Sequence, residues 1–110
     1  MKWSELRNAP DATTRALVVL SDRWTLILLS QCLAGLTRFD DLQRTHGLSR
    51  SIVSDRLKLL IDEGILERHP YNGVRHEYRL TAKGEALSPL LEAIRLWAET
   101  HDSGTSRPKP

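Results

Sequence analysis

Residues 48–64, LSRSIVSDRLKLLIDEG, most constrain what this chain can fold into. The stretch carries the marks of one helix with a defined start and stop. Ser49 can accept a backbone N–H left without a partner in the first turn, and Leu48 before it can pack on Val53 one turn in. Gly64 tolerates the left-handed conformation that ends a helix. Val53, Leu57 and Leu60 recur at helical spacing, flanked by Ile52, Leu59 and Ile61, so one stripe is expected to be buried. The opposite face offers Arg50, Ser51, Ser54, Asp55 and Lys58, polar and cationic groups set near the end where the helix dipole is positive. A helix that buries one stripe and presents Arg, Ser and Asp from its first two turns suits the major groove of DNA.

The rest of the chain must hold that helix. Its 110 residues favour one domain with one modest core, and at this size a dimer interface adds useful burial. Net charge is only +2, from 16 basic and 14 acidic residues, so charge balance alone does not identify a nucleic-acid binder. The argument rests on where the cations sit. The single cysteine, Cys32, cannot form an internal disulfide, which fits a reducing cytosol. The start, MKWSELRNAP, has no signal-peptide core, and no apolar run, LILL at 26–29 included, approaches the length of a membrane span. A soluble cytoplasmic protein with no membrane partner is expected.

In chain order, residues 1–10 read as a loose N-terminal arm whose Trp3 and Leu6 can pack on a neighbour or a second subunit. Asp11 can cap a first helix over 12–20, with Ala16, Leu17 and Leu20 on one face. Asp22 can cap a second over 23–33, apolar nearly all round and therefore central, with Cys32 as a small buried filler. Gly35 ends it. A short extended segment at 37–39, a short helix at 40–46, the turn His46-Gly47 and the 49–63 helix then make a helix-turn-helix pattern.

After Gly64 the period becomes extended. Runs at 65–71 and 74–80 flank Asn72-Gly73, a strong hairpin signal. A two-residue turn there sets Tyr71 opposite Val74, His69 opposite His76, Arg68 opposite Glu77 and Ile65 opposite Leu80, with Ile65, Tyr78 and Leu80 on the core side. Thr81 can cap a last helix over 82–100, whose apolar stripe is Leu87, Leu90, Leu91, Ile94 and Trp97, with Pro89 bending or interrupting it. Residues 103–110 are polar and Pro-rich and expected to be disordered, leaving 11–102 as the domain.

Helix-turn-helix followed by an Asn-Gly hairpin describes a winged helix-turn-helix, mostly α with a small β-hairpin. Over residues 11–98 the chain also resembles the HxlR-type winged-helix transcriptional regulators of bacteria. The resemblance is carried by DRWTLILL (22–29), GLTRFDDLQR (35–44), LSRSIVSDRLKLLIDEGILER (48–68), HEYRLTAKGEAL (76–87) and LLEAIRLWAE near the end, specific in their order and spacing. It implies a homodimer built from the N- and C-terminal helices that binds a pseudo-palindromic operator near a promoter. Family members often carry a redox-active cysteine at the start of the first helix. Asp11 stands there in this chain, so the resemblance implies no thiol sensing at that position. Asn72-Gly73 also makes a shorter wing than the Pro-rich turn common in the family.

On double-stranded DNA, cations supply affinity and groups reaching base edges supply sequence. Arg50 is the candidate reader, since a guanidinium can donate twice to guanine O6 and N7. Ser49, Ser51 and Ser54 are short and can meet bases or phosphates; Asp55 can accept from a cytosine amino group or hold a nearby Arg. Arg56 and Lys58 are candidate phosphate contacts, as is Arg38 at the entrance to the helix-turn-helix. Arg75, just past the wing tip, can meet a phosphate or enter a narrow minor groove, with Arg68 and His69 as secondary candidates.

Each has a plainer reading. Arg50 and Lys58 on an arbitrary helix would be solvated, and Arg68 would be the ion-pair partner of Glu77. His69 and His76 supply two metal ligands without a third, so neither a metal nor a cofactor is expected. Cys32 has no neighbouring cation to activate it. Trp24 and Trp97 read as core or dimer-interface residues, and a small effector could lodge near them, between the second helix and the dimer helices. The expected dimer surface is Trp3, Leu6, Leu17, Leu90, Leu91, Ile94 and Trp97.

The leading functional reading is a DNA-binding transcriptional repressor. A winged helix used for protein–protein contact is the alternative. No nucleophile–base pair, phosphate-cradling Gly loop or metal-ligand run suggests an enzyme.

Overall fold

Side-chain caps start four of the described helices. In the computed structural model, which describes residues 2–73 and 75–101 apart from the side chains of Trp3, Tyr71 and Asn72, Asp11 Oδ2 accepts the Thr14 N–H at 2.9 Å and opens α1 (Ala12–Leu20). Asp22 Oδ1 accepts from Trp24 N at 2.7 Å and Thr25 N at 3.3 Å, so α2 (Thr25–Leu33) begins at Thr25 rather than at Arg23. After Gly35, at φ 105°, α3 spans Phe39–Thr45, with Phe39 already helical. Ser49 Oγ accepts the Ile52 N–H at 3.1 Å and opens α4 (Arg50–Asp62), which Gly64 ends at φ 75°.

The core forms where α2, α3 and α4 meet. Leu28, Leu29, Leu42, Val53 and Leu60 are completely buried, with Leu57, Leu48, Ile65 and Leu66 nearly so. Full burial of each such side chain contributes about 2 kcal/mol. This packing fixes the rotation of α4 about its axis and leaves the Arg50 edge outward.

The hairpin, β1 (Leu66–Asn72) and β2 (Arg75–Leu80), differs in register from the expectation. Leu66 faces Leu80, Arg68 faces Tyr78, His69 faces Glu77 and Pro70 faces His76, while Asn72 faces Arg75. Pairing therefore closes at Asn72 and Arg75, not around a turn at residues 72 and 73. The extra residue between Pro70 and Asn72 is a bulge beside a proline that has no N–H to donate. Val74, expected opposite Tyr71, lies outside the described residues. Tyr78 and Leu80 share their face with Leu66, and Ile65 is buried ahead of the strand. Arg38 bridges to Glu77, and Tyr78 N donates to Thr37 O at 2.7 Å, so the segment before α3 ties the wing to the helix-turn-helix.

The expected single last helix is two, α5 (Ala82–Glu85) and α6 (Ser88–His101). Pro89 falls in the first turn of α6, where a missing N–H is harmless. Thr81 Oγ1 accepts from Gly84 N at 3.1 Å and lies 2.6 Å from Gly64 O, while Lys83 Nζ donates to Glu63 O at 2.6 Å; α5 thereby closes the end of α4.

The N-terminal arm is not loose. Trp3–Asn8 is a 3-10 helix, Arg7 pairs with Glu63 at 2.8 Å, and Arg15 Nη1 donates to Ala9 O at 2.7 Å and Pro10 O at 2.9 Å. The tail at 103–110 lies outside the described residues. Among those residues no single helix is long and apolar enough to cross a membrane.

Candidate nucleic-acid interface

The start of α4 presents Ser49, Arg50, Ser51, Ser54, Asp55 and Lys58, all exposed. Two clefts flank it, with Tyr78 lining both.

The first cleft, about 450 Å³, lies between α3, the start of α4 and the wing, and takes Arg38, Arg44, Arg50 and Arg75 into its walls. Arg44 was not singled out by the sequence reasoning; its signal was a place on the short helix with Asp41 one turn before it. Arg44 Nη2 donates to Asp41 at 2.9 Å, and Arg50 Nη1 donates to Asp40 at 3.2 Å. The Arg50 Cζ also stands 4.5 Å from the centre of the Phe39 ring. Arg75 is exposed, and no acidic residue among the described ones lies within ion-pair distance of it.

The second cleft, about 1010 Å³, gathers Ser54, Lys58, Arg68 and His69. Lys58 Nζ donates to Asp62 at 3.0 Å but is 76% exposed, so this pair is worth little. The observed register removes Arg68 from Glu77, whose carboxylate accepts instead from Arg79 Nε at 3.3 Å; Arg68 stays exposed. It also separates His69 from His76. His69 Nε2 lies 3.0 Å from Glu67 Oε2, and the two-histidine arrangement is not formed.

Arg56 departs furthest from its expected place. It turns inward: Nη2 lies 2.8 Å from Asp22 Oδ2, Nη1 contacts Asp55, and the side chain is 24% exposed. The hydrogen bond with Asp22 holds the guanidinium above its usual pKa. Burial works to raise the Asp22 carboxyl, but the hydrogen bonds from Arg56 and the Trp24 and Thr25 N–H groups outweigh it and hold Asp22 below the usual carboxylate value. Arg56 therefore acts as a brace between α4 and the start of α2, not as a free phosphate arm. The same reading missed Gln31, buried in α2 with neither amide atom hydrogen-bonded.

The last helix, α6, has no buried residue. Leu90, Ile94, Leu96 and Trp97 are exposed on it, as is Leu17 on α1; Leu96 was not anticipated. Leu91 instead packs against the core, Leu6 is half-buried in the 3-10 helix, and the Trp3 side chain lies outside the described residues. A cleft of about 630 Å³ between α2 and α6 is lined by Leu26, Leu33, Leu91 and Ile94. Neither tryptophan lines it. Trp24 packs on the core under Arg23, and Trp97 neighbours His101 at 5.8 Å, so one chain does not bring the two together. Cys32 is 5% exposed, and burial pushes its thiol up to about 11.

The family model for the HxlR-like helix-turn-helix matches residues 19–105. Rv3095 of Mycobacterium tuberculosis, named an uncharacterized HTH-type transcriptional regulator, is 36% identical over 93 residues, 83% of this chain and 59% of that protein. YvaP of Bacillus subtilis, named in the same way, is 41% identical over 87 residues, 76% of this chain and 81% of that protein. The chain thus spans about three-fifths of the mycobacterial relative's length. Among solved structures, the transcription-factor candidate PA1607 superposes with a TM-score of 0.86 at 36% identity, covering 96% of this chain and 75% of that one. The redox regulator HypR in its reduced form gives 0.76 at 26% identity, covering 84% and 94%. These relatives are regulators and not enzymes. The order of elements, the capped and outward-facing start of α4, and a match over most of its length together show that this chain belongs to the HxlR-like helix-turn-helix family of transcriptional regulators.

Proposed function

We propose that this chain binds double-stranded DNA as a homodimer in the cytoplasm, with α4 in the major groove and the β1–β2 hairpin as a wing, and represses transcription from a pseudo-palindromic operator. The carrying observation is the convergence of Arg38, Arg44, Arg50 and Arg75 on one cleft beside exposed Ser49, Ser51 and Ser54. With a net charge of only +2, such clustering sets the local field a phosphate backbone meets. Arg50 has the reach and donors to read guanine, Ser51, Ser54 and Asp55 are at hand for neighbouring bases, and Arg38, Lys58, Arg68, His69 and Arg75 face the backbone from either cleft.

The exposed apolar face of α6, with Leu17 on α1, supports the dimer. Two-fold symmetry then sets the two α4 helices about 34 Å apart, one turn of DNA. A dimer seated there acts most simply by occupying the promoter. An effector site near Trp24 and Trp97 would need the second subunit to complete it.

A mobility-shift assay with the chain's own promoter region tests the reading. The expected result is a retarded complex that Arg50→Ala weakens at least about tenfold. No complex at any protein concentration, or one indifferent to that substitution, overturns it.

A further inference from the structure

The first cleft holds an arrangement that binding to phosphate does not require. Asp40 is a carboxylate, 68% exposed, and with Asp41 it lines the cleft that also takes in four arginines. Taken singly it repels DNA. Its contacts show a different use. Asp40 Oδ1 accepts from Arg50 Nη1 at 3.2 Å, while the Phe39 ring supports the guanidinium with Cζ 4.5 Å from its centre. One nitrogen is held at the edge and the plane is held from below. Among the described residues no hydrogen bond uses Arg50 Nε or Nη2. Those two nitrogens form the side of the guanidinium that carries two parallel N–H bonds, the geometry matched by guanine O6 and N7.

Resting on the DNA-binding reading above, we propose that Asp40 and Phe39 are specificity-setting positioning residues, which hold the Arg50 guanidinium so that its free Nε–Nη2 edge reads one guanine in each half-site. An exposed arginine otherwise samples many rotamers, and ordering it on binding costs conformational entropy. The two contacts come from the first turn of α3 and act on the first turn of α4, so the side chain is ordered by the same helix pair that docks on DNA. Asp40 also offsets part of the Arg50 charge, so the reader adds less to backbone attraction than an arginine without a carboxylate beside it. Base choice and backbone affinity therefore fall on different residues: Arg50 selects, while Arg75 attracts. Asp41 does for Arg44 what Asp40 does for Arg50, but that pair is one helical turn apart on α3 itself and leaves α4 untouched.

The test is selection from a randomised duplex pool by the full-length wild type, Arg50→Ala, Asp40→Ala and the double variant, with affinity for an arbitrary duplex measured at one salt concentration. The wild type is expected to enrich a motif with an invariant guanine in each half. Asp40→Ala is expected to lower discrimination at that position about tenfold, as Arg50→Ala does, while arbitrary-duplex affinity stays level or rises because a negative charge is gone. In the Arg50→Ala background, Asp40→Ala is expected to change base preference no further. An Asp40→Ala protein that keeps its full guanine preference overturns the proposal. So does a base preference that Asp40→Ala abolishes even when Arg50 is already absent, since Asp40 would then read a base itself. Failure of the wild type to bind any duplex is a different result and sinks the DNA-binding reading with it. Asp40→Asn, which keeps shape and loses charge, is expected to fall between the wild type and Asp40→Ala in discrimination while leaving the thermal midpoint unchanged.

Discussion

The Arg56 guanidinium of α4 sits 2.8 Å from the Asp22 carboxylate, which also accepts the Trp24 and Thr25 N–H groups at the start of α2. One carboxylate thus caps the central core helix and anchors α4. The orientation of α4 on its scaffold depends on an acid that precedes α2 in the chain.

Asp22→Ala is expected to destabilise the fold by about 2 kcal/mol, because it removes a cap and leaves a half-buried guanidinium short of a partner. Asp22→Asn keeps the cap oxygen and should cost less. The pH dependence has a definite sign. The folded carboxyl titrates below 3.8, its unperturbed value, so its contribution is present above about pH 4 and is lost as the pH falls through the lower folded value. Urea denaturation of wild type and Asp22→Asn is expected to show a stability gap at pH 6 that shrinks toward pH 3. A gap unchanged across that range contradicts the assignment.

Gly84 is required by space. A Cβ there would stand 2.3 Å from the Ile65 carbonyl oxygen and 2.9 Å from Leu80 Cδ2. Backbone cannot yield as a flexible side chain can, so Gly84→Ala is expected to cost about 3 kcal/mol, read as a lower urea midpoint with an unchanged m-value. A neutral Gly84→Ala would mean that α5 does not pack on the wing as described.

Cys32 is buried and its thiol is raised to about 11, so almost no thiolate exists at pH 7. Alkylation is expected to be slow in the folded protein and to reach the rate of a free thiol in denaturant. Fast labelling of the native protein at pH 7 would contradict an inert core role.

Trp97 is 63% exposed and Ile94 44% on a helix with no buried residue. If that face is covered by a second copy, Ile94→Glu and Trp97→Glu each yield a folded monomer in sedimentation experiments, and wild-type Trp fluorescence shifts to the blue as concentration rises. A wild type that is monomeric at micromolar concentration refutes the covered face.

Much of this fold was legible because its punctuation is chemical. Asp11, Ser49 and Thr81 cap where a hydroxyl or carboxylate is free to bend back, and Gly64 ends α4 with a positive φ. The hairpin's existence was readable and its register was not. The turn closes one residue later than expected, a bulge next to Pro70 takes back part of that offset, and no local pattern announces either. The exposed start of α4 follows from the Val53–Leu57–Leu60 stripe. Arg56 lies beside that stripe, and only tertiary packing brings Asp22, more than thirty residues earlier, within its reach. Arg44 and Leu96 escaped because a cleft and a bare helix face are properties of the assembled surface, not of spacing along the chain.

The most direct measurement is the dissociation constant for promoter DNA, by fluorescence anisotropy, as a function of salt for the wild type and for Arg75→Ala. The expected result is affinity that falls steeply and linearly on a log–log plot, with a slope reduced in magnitude by about 1 for each copy of Arg75 removed, so about 2 in a dimer. Binding that is flat with salt, or a slope indifferent to Arg75→Ala, would contradict a duplex seated between the recognition helix and the wing.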